Sequence, residues 1–227
     1  MPSSPRQTRI VVVDDHPLVR ESLVELITRE PDLTVCAEGD SVVSATAAIE
    51  RHRPDLVLLD LRLRSGDSLE LVKSIRARFP ATRVLIISQQ EETLFAERCL
   101  RAGADGYVTK QEASEEVLTA IRTVLAGDTY VSRKVAVLVF RRTIDRVPEE
   151  KTRGVGKLSD RELHVFQQIG AGMTCAAIAA DMKLSIKTVE THRENIKNKL
   201  GLGGSKELAS FAQAWLSGDG AADARTR

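Results

Sequence analysis

The chain is poor in cysteine. Cys36, Cys99 and Cys175 are its only three, and no two lie close together. A disulfide framework and a zinc site built on paired cysteines are thereby excluded. A reducing, cytoplasmic setting is expected. Long apolar runs are missing too: no stretch approaches the ~20 residues of a membrane helix. Residues 1–9 are polar with two prolines, and only the short run Ile10–Val13 follows, so no secretory leader is expected. Nor does one sign of charge dominate, since 33 Lys and Arg face 32 Asp and Glu. The sequence has no internal repeat.

What is present is the composition of a soluble globular protein: 227 residues, 42% apolar and 29% charged, enough for one or two domains. The near-neutral total conceals two unlike halves. Residues 1–126 hold 16 Lys/Arg against 20 Asp/Glu, a net of −4, whereas residues 127–227 hold 17 against 12, a net of +5. An acidic half joined to a basic one suggests a regulatory or metal-binding unit coupled to an anion-binding one.

In the first half, short apolar runs alternate with helical patterns. Ile10–Val13 is a β-branched run ending in Asp14-Asp15. Pro17 then suits the first turn of a helix, whose apolar positions continue with a 3.6-residue period to about Glu30. Leu33–Ala37 is a second strand and Ser41–His52 an Ala-rich helix stopped by Pro54. Leu56–Leu59 is a third strand, apolar throughout as a strand buried on both faces should be, and it ends in Asp60. Leu69–Phe79 is helical. Arg83–Ile87 is a fourth strand ending at Ser88, Glu91–Ala102 a helix, and Gly106–Val108 a fifth strand ending near Lys110. A last helix through Val117 and Leu125 stops at Gly127. Five strands alternating with five helices predict a doubly wound, flavodoxin-like parallel sheet with helices on both faces. Right-handed crossovers bring the strand ends to one edge.

That edge gathers Asp14, Asp15, Asp60, Ser88 and Lys110. Clustered carboxylates repel one another unless a cation sits among them, and an all-oxygen set favours magnesium. Beside such an ion the Asp60 carboxylate can act as a nucleophile and become an aspartyl phosphate. Ser88 would hydrogen-bond one phosphoryl oxygen and Lys110 neutralise another. Singly, these residues have plainer readings. Asp60 could be a turn or capping residue, Asp14 a helix cap, Ser88 a turn residue and Tyr107 ordinary core; His16 is read as structural.

The constellation and its spacing resemble the receiver domain of two-component response regulators over residues 9–126. That resemblance implies phosphorylation of Asp60 by a sensor histidine kinase. It implies direct magnesium ligation by Asp15 and Asp60, ligation through water by Asp14, and a further ligand in the backbone carbonyl of Arg62. Ser88 and Tyr107 become a switch pair: the hydroxyl moves towards the phosphoryl group and the ring turns inward. One departure is Gln111, where many receivers carry proline. A haloacid-dehalogenase-like phosphatase also uses a strand-end aspartate, but it needs an acid two residues on. That position is Arg62, so no turnover enzyme is expected.

Residues 127–156 read as a linker. Tyr130–Phe140 is a possible short helix capped by Ser132, able to pack on either domain or on a partner chain. Arg141–Gly156 reads as a flexible tether, and residues 1–8 as a tail.

The second half is helical. Ser159 and Glu162 form a capping-box pattern before a helix that runs to Gly170. Thr174 caps a short helix through Ala176–Met182, Lys183-Leu184 is a tight turn, and Ser185 caps Ile186–Leu200. Ser205 is expected to cap a fourth helix ending at Leu216, with a disordered tail from Gly218. A short helix, a tight turn and a polar second helix match helix-turn-helix geometry. Residues 184–196 carry a resemblance to the LuxR-type domain of NarL/FixJ regulators, extending over Leu158–Leu216 within a domain of residues 157–217. The resemblance makes Ile186–Leu200 the recognition helix for double-stranded DNA. Lys183, Ser185, Lys187 and Lys197 are suited to phosphates. Thr188, Glu190, Thr191, Arg193 and Glu194 complete the expected DNA-facing set. Leu208, Phe211, Ala212 and Trp215 are the expected contact of an active homodimer. The expected function is phosphorylation-controlled transcription regulation; the alternative is a signalling adaptor whose helical domain binds protein.

Overall fold

The computed structural model describes residues 7–63, 67–89, 92–112, 114–137 and 154–217. They fall into two compact units, residues 1–144 and 145–227. The expected tail at residues 1–8 is described only from Gln7, and Thr8 already belongs to the first strand. Of the expected tether, Arg141–Gly156, residues 141–153 lie outside the described residues, as does the tail from 218, while residues 154–156 belong to a 3₁₀ turn with Val155 buried instead of a flexible segment.

In the first unit, β1 (Thr8–Val13), β2 (Leu33–Gly39), β3 (Leu56–Asp60), β4 (Arg83–Ser88) and β5 (Gly106–Thr109) form one parallel sheet in the order β2-β1-β3-β4-β5. Between them run α1 (Pro17–Thr28), α2 (Val42–His52), α3 (Ser68–Arg78), α4 (Glu92–Ala102) and α5 (Ser114–Ala126). Every residue of β3 is buried, as its unbroken apolar run requires. Ile10, Leu56, Leu58, Leu85 and Val108 build a core with Ile27 of α1 and Ile121 of α5. Local chemistry sets the helix starts. Pro17 occupies the first turn of α1, and the Ser41 hydroxyl accepts from Ser44 N ahead of α2. The Asp67 carboxylate accepts from the backbone amides of Leu69 and Glu70 ahead of α3.

The sheet order reverses at β1, the position where sites form in open α/β sheets. Register does the rest. Val13 pairs with Leu59, so the next residues, Asp14 and Asp60, leave the sheet side by side. Asp60 pairs with Ile87, and Ser88 with Thr109, so Ser88 and Lys110 emerge at the same rim.

After α5 the chain does not leave the first unit at once. Tyr130 bridges Gly106 at the outer edge of β5, donating its N–H to Asp105 O at 3.2 Å and accepting from Tyr107 N at 2.8 Å. A Cβ at Gly106 would stand 2.9 Å from the Tyr130 carbonyl, so only glycine admits this approach. Helix begins at residue 133 and is described to 137, with the Ser132 hydroxyl accepting from Val135 N. The expected helix is therefore shorter at its start, because the Tyr130 backbone is spent on the sheet edge. Val135 is buried. The beginning of the linker is thus fastened to the first unit through Tyr130 and Ser132.

Among the described residues the second unit starts with a 3₁₀ turn at Gly154–Lys157. It contains α6 (Asp160–Gly170), α7 (Cys175–Asp181), α8 (Ile186–Leu200) and α9 (Ser205–Leu216). The capping box of Ser159 and Glu162 is formed, and Thr174 and Ser185 cap α7 and α8. At α9 the cap is Gly204, in extended backbone and without a side-chain bond, and the expected cap Ser205 is already helical. Lys183 takes a left-handed φ of 54° in the tight turn. Phe166 of α6 packs on Phe211 and Trp215 of α9, with ring centroids 5.9 and 5.5 Å apart. The two helices come so close that a Cβ at Gly170 would lie 2.6 Å from the Ala212 carbonyl.

Candidate functional site

The rim of the sheet carries the site predicted from strand ends. Lys110 reaches across it, its Nζ 2.6 Å from Asp14 Oδ2 and 2.8 Å from Asp60 Oδ2. All three side chains are 5% exposed or less, so these ion pairs are screened little by water. The lysine is placed by backbone: Lys110 N donates to Ser88 O at 2.9 Å. Gln111, at the position where proline was the common residue, leaves that placement intact. Asp60 Oδ1 accepts from Arg62 N at 3.2 Å, which fixes the carboxylate's other oxygen.

Two titrations follow from burial. Burial pushes the Asp60 carboxyl up to about 6, against the opposing pull of Lys110, while neighbouring Asp14 adds to the rise. Burial also holds the Tyr107 phenol well above its ordinary value, although its hydrogen bond with Ser88 works the other way. Tyr107 has no exposed surface. The expected switch pair is therefore in contact, hydroxyl to hydroxyl, with the ring already inside.

A metal fits this rim. Asp14, Asp15, His16 and Asp60 each offer one donor atom, all within 4.8 Å of one another. Three carboxylates held that close form a hard-oxygen set of the kind magnesium takes. His16 was not expected here. Its Nδ1 lies 2.8 Å from Asp15 Oδ1 and 3.2 Å from Asp14 Oδ1, so it caps the acid pair rather than merely beginning α1. Arg20 was also missed: it donates to the Asp14 carbonyl at 2.7 Å and pairs with Glu38, bracing the loop from below. His16 directly follows the acid pair, but adjacency alone does not say that a ring turns back onto its neighbours, and the Arg20–Glu38 pair joins residues 18 apart.

The second site is the surface of α8. Val189 and Ile196 are wholly buried beneath it. Lys187, Glu190, Thr191 and Glu194 are exposed, and Lys183 and Ser185 stand exposed at its start. Thr188 is half-buried, bonded to Ser185 through the cap. Lys197 is mostly covered and pairs with Glu194 at 2.8 Å. Arg193 turns away from that face, its guanidinium 2.8 Å from Cys175 Sγ at the start of α7. One anchor was not legible in advance. The Glu162 carboxylate accepts from Ser159 N at 2.7 Å and from Lys199 Nζ at 2.6 Å, tying the start of α6 to the end of α8. Burial alone would raise the Glu162 carboxyl, and the hydrogen bonds from Lys199 and Ser159 overcome it and hold it below its ordinary value.

The expected dimer contact needs correcting. Leu208 and Ala212 have no exposed surface. They face α6 and complete the core of their own unit, so they have nothing to offer a partner. Phe211 and Trp215 keep partial exposure while packing on Phe166. An apolar helix stripe looks the same whether it covers its own domain or another chain.

Comparison with known proteins follows this division. The family described as "Response regulator receiver domain" matches residues 10–122. The family described as "Bacterial regulatory proteins, luxR family" matches residues 156–212. Oxygen regulatory protein NreC of Staphylococcus epidermidis is 32% identical over 209 residues, spanning 90% of this chain and 96% of that protein. NreC of Staphylococcus aureus is 33% identical over 208 residues, with the same coverage. A LuxR-family two-component response regulator from Aurantimonas sp. SI85-9A1 is 36% identical, with a TM-score of 0.57 over 61% of this chain and 99% of its own. RcsB of Salmonella enterica serovar Typhimurium, bound to promoter rprA in the presence of phosphomimetic BeF3-, shares the fold. It is 20% identical, with a TM-score of 0.70 over 92% of this chain and 99% of its own. With both domains matched in order and relatives aligned over nearly the whole length, the chain belongs to the NarL/FixJ family of response regulators, transcription regulators that join a receiver to a LuxR-type DNA-binding domain.

Proposed function

We propose that Asp60 is the phosphoacceptor, that a sensor histidine kinase is the donor, and that the aspartyl phosphate controls DNA binding by α8. The observation that carries this reading is the buried ammonium of Lys110 set against Asp60 and Asp14. A carboxylate oxygen of Asp60 attacks the phosphorus of the kinase phosphohistidine. The P–N bond breaks, its electron pair stays with the imidazole, and an acyl phosphate forms on Asp60. With a carboxyl pKa of about 6, Asp60 is mostly ionised and nucleophilic at neutral pH. Lys110 faces the charge that develops on the phosphoryl oxygens. Asp14, Asp15, Asp60 and the Arg62 carbonyl would hold magnesium, which supplies charge neutralisation for the incoming phosphoryl group. The Ser88 hydroxyl, now with Tyr107, would turn to a phosphoryl oxygen. The position two residues after Asp60, where a haloacid-dehalogenase-like phosphatase needs its acid, is Arg62, which supports a stable phosphoprotein over a turnover enzyme.

On the DNA side, Lys183, Ser185 and Lys187 are the phosphate contacts, and Glu190, Thr191 and Glu194 face the groove. Lys197 is paired with Glu194 and Arg193 with Cys175, so both steady the helix. Glu190 or Glu194 can accept from cytosine N4. A homodimer would read half-sites about 34 Å apart, with Phe211 and Trp215 supplying the apolar part of its contact.

The test uses labelled phosphodonor on the full chain and on Asp60→Ala, with and without a chelator, followed by promoter DNA binding at two salt concentrations. Labelling is expected only for wild type with magnesium, and binding that weakens with salt. Labelling of Asp60→Ala would remove Asp60 from this role. Failure of either phosphorylation state to bind DNA would favour the adaptor instead.

A further inference from the structure

We infer that Glu92, at the first turn of α4, is the positioning residue that hands the state of the switch to the chain leaving the receiver. The inference rests on the phosphorylation reading above and names its route. Glu92 follows Ser88 by four residues, and its carboxylate accepts from both the backbone N–H (3.0 Å) and the hydroxyl of Ser132. Charge-assisted bonds of this kind are among the stronger ones. Ser132 in turn caps the helical turn that begins at residue 133. The start of α4 and the root of the linker are therefore one hydrogen-bonded piece.

The same segment is fastened to the other half of the switch. Tyr107 donates its backbone N–H to the Tyr130 carbonyl at 2.8 Å. The Tyr130 hydroxyl donates to Glu116 of α5 at 2.6 Å. The Glu92 charge is also felt at the Tyr107 phenol, where it opposes ionisation. Residues 130–135 thus form a strap held at β5, α4 and α5, with Tyr107 at one anchor point and Glu92, four residues after Ser88, at another. Val135 is buried, so the strap cannot swing as a free loop. When Ser88 is drawn towards a phosphoryl group, the start of α4, four residues on, moves with it, and Glu92 carries that movement to Ser132.

The test is hydrogen exchange at residues 128–137 of the full chain, with and without beryllofluoride, alongside DNA affinity in both states. The variants are Glu92→Ala, Glu92→Gln and Ser132→Ala. In wild type the strap amides are expected to be protected, and beryllofluoride to change their exchange. In Glu92→Ala and Ser132→Ala, exchange should be fast in both states, with Glu92→Gln between. The gain in DNA affinity on activation should then fall by a factor of roughly 5, the low end of ordinary allosteric coupling. Beryllofluoride binding and unfolding of the receiver core should be unaltered, which separates this loss from failure to fold. Wild-type exchange indifferent to beryllofluoride would overturn the inference, as would a full affinity gain in a variant whose strap exchanges freely. Absence of any DNA binding in wild type would defeat the functional reading instead, and strap exchange would still decide the role of Glu92.

Discussion

The two working surfaces of this protein are built in opposite ways. At the sheet rim, Asp14, Asp60 and Lys110 are nearly sealed from solvent and bound to one another. On α8, the side chains expected to meet DNA stand in water, and what is fixed is the helix beneath them, through Val189, Ile196 and the Glu162–Lys199 pair. The difference lies in where the cost of a charge is met. A buried carboxylate must have its partner within the fold or it costs several kcal/mol, so its neighbours follow from its own position. An exposed lysine costs nothing until a phosphate arrives, so its role is set by the partner.

Substitutions should separate the two surfaces sharply. The largest effect is expected at Asp60. Its carboxyl titrates near 6 when folded and near 3.8 when unfolded. Below the lower value both states are protonated and the burial penalty is absent. Between the two values the penalty grows, and above the folded value it is complete, at about 3 kcal/mol. Asp60→Asn should therefore match wild type in stability below pH 4 and exceed it by about 3 kcal/mol at neutral pH without divalent cations. Urea denaturation across pH checks this; a difference that does not vary with pH would mean that Asp60 is not buried as a charge. The next effect concerns the scaffold of the DNA surface. Gly170→Ala puts a methyl against the Ala212 carbonyl and Leu216, and should cost about 2 kcal/mol by overpacking, read as a lowered melting temperature of the second unit. The smallest effect on folding is expected on α8 itself. Lys187→Ala should leave stability within about 0.5 kcal/mol, weaken DNA binding evenly across sequences, and reduce the salt slope by about one. A large loss of stability there would mean that the exposed face carries structure as well as binding.

The same contrast explains what the sequence disclosed. Strand-end acids were legible because each followed an unbroken apolar run, and parallel register then placed Asp14 beside Asp60 without further information. The caps of α7 and α8 were legible from Thr174 and Ser185. The roles of His16 and Arg20 were not: His16 sits beside the acids in sequence but only its side-chain rotamer turns it back onto them, and Arg20 reaches Glu38 across 18 residues. Leu208 and Ala212 misled for another reason: periodicity reports that a helix face is covered, but not by what. The start of the linker was left undecided because the bonds that fasten Tyr130 and Ser132 join residues 14 to 40 apart in sequence.

The bridge between Gly106 and Tyr130 has a practical consequence. β5 is an outer strand of its sheet, and the segment beyond α5 closes its open side. A receiver truncated at Ala126 would keep every named strand and helix yet present the bare β5 margin, where strands of other molecules can add. Such a fragment should aggregate more readily than one extended through Val137, so the true end of the folded unit lies past its last long helix.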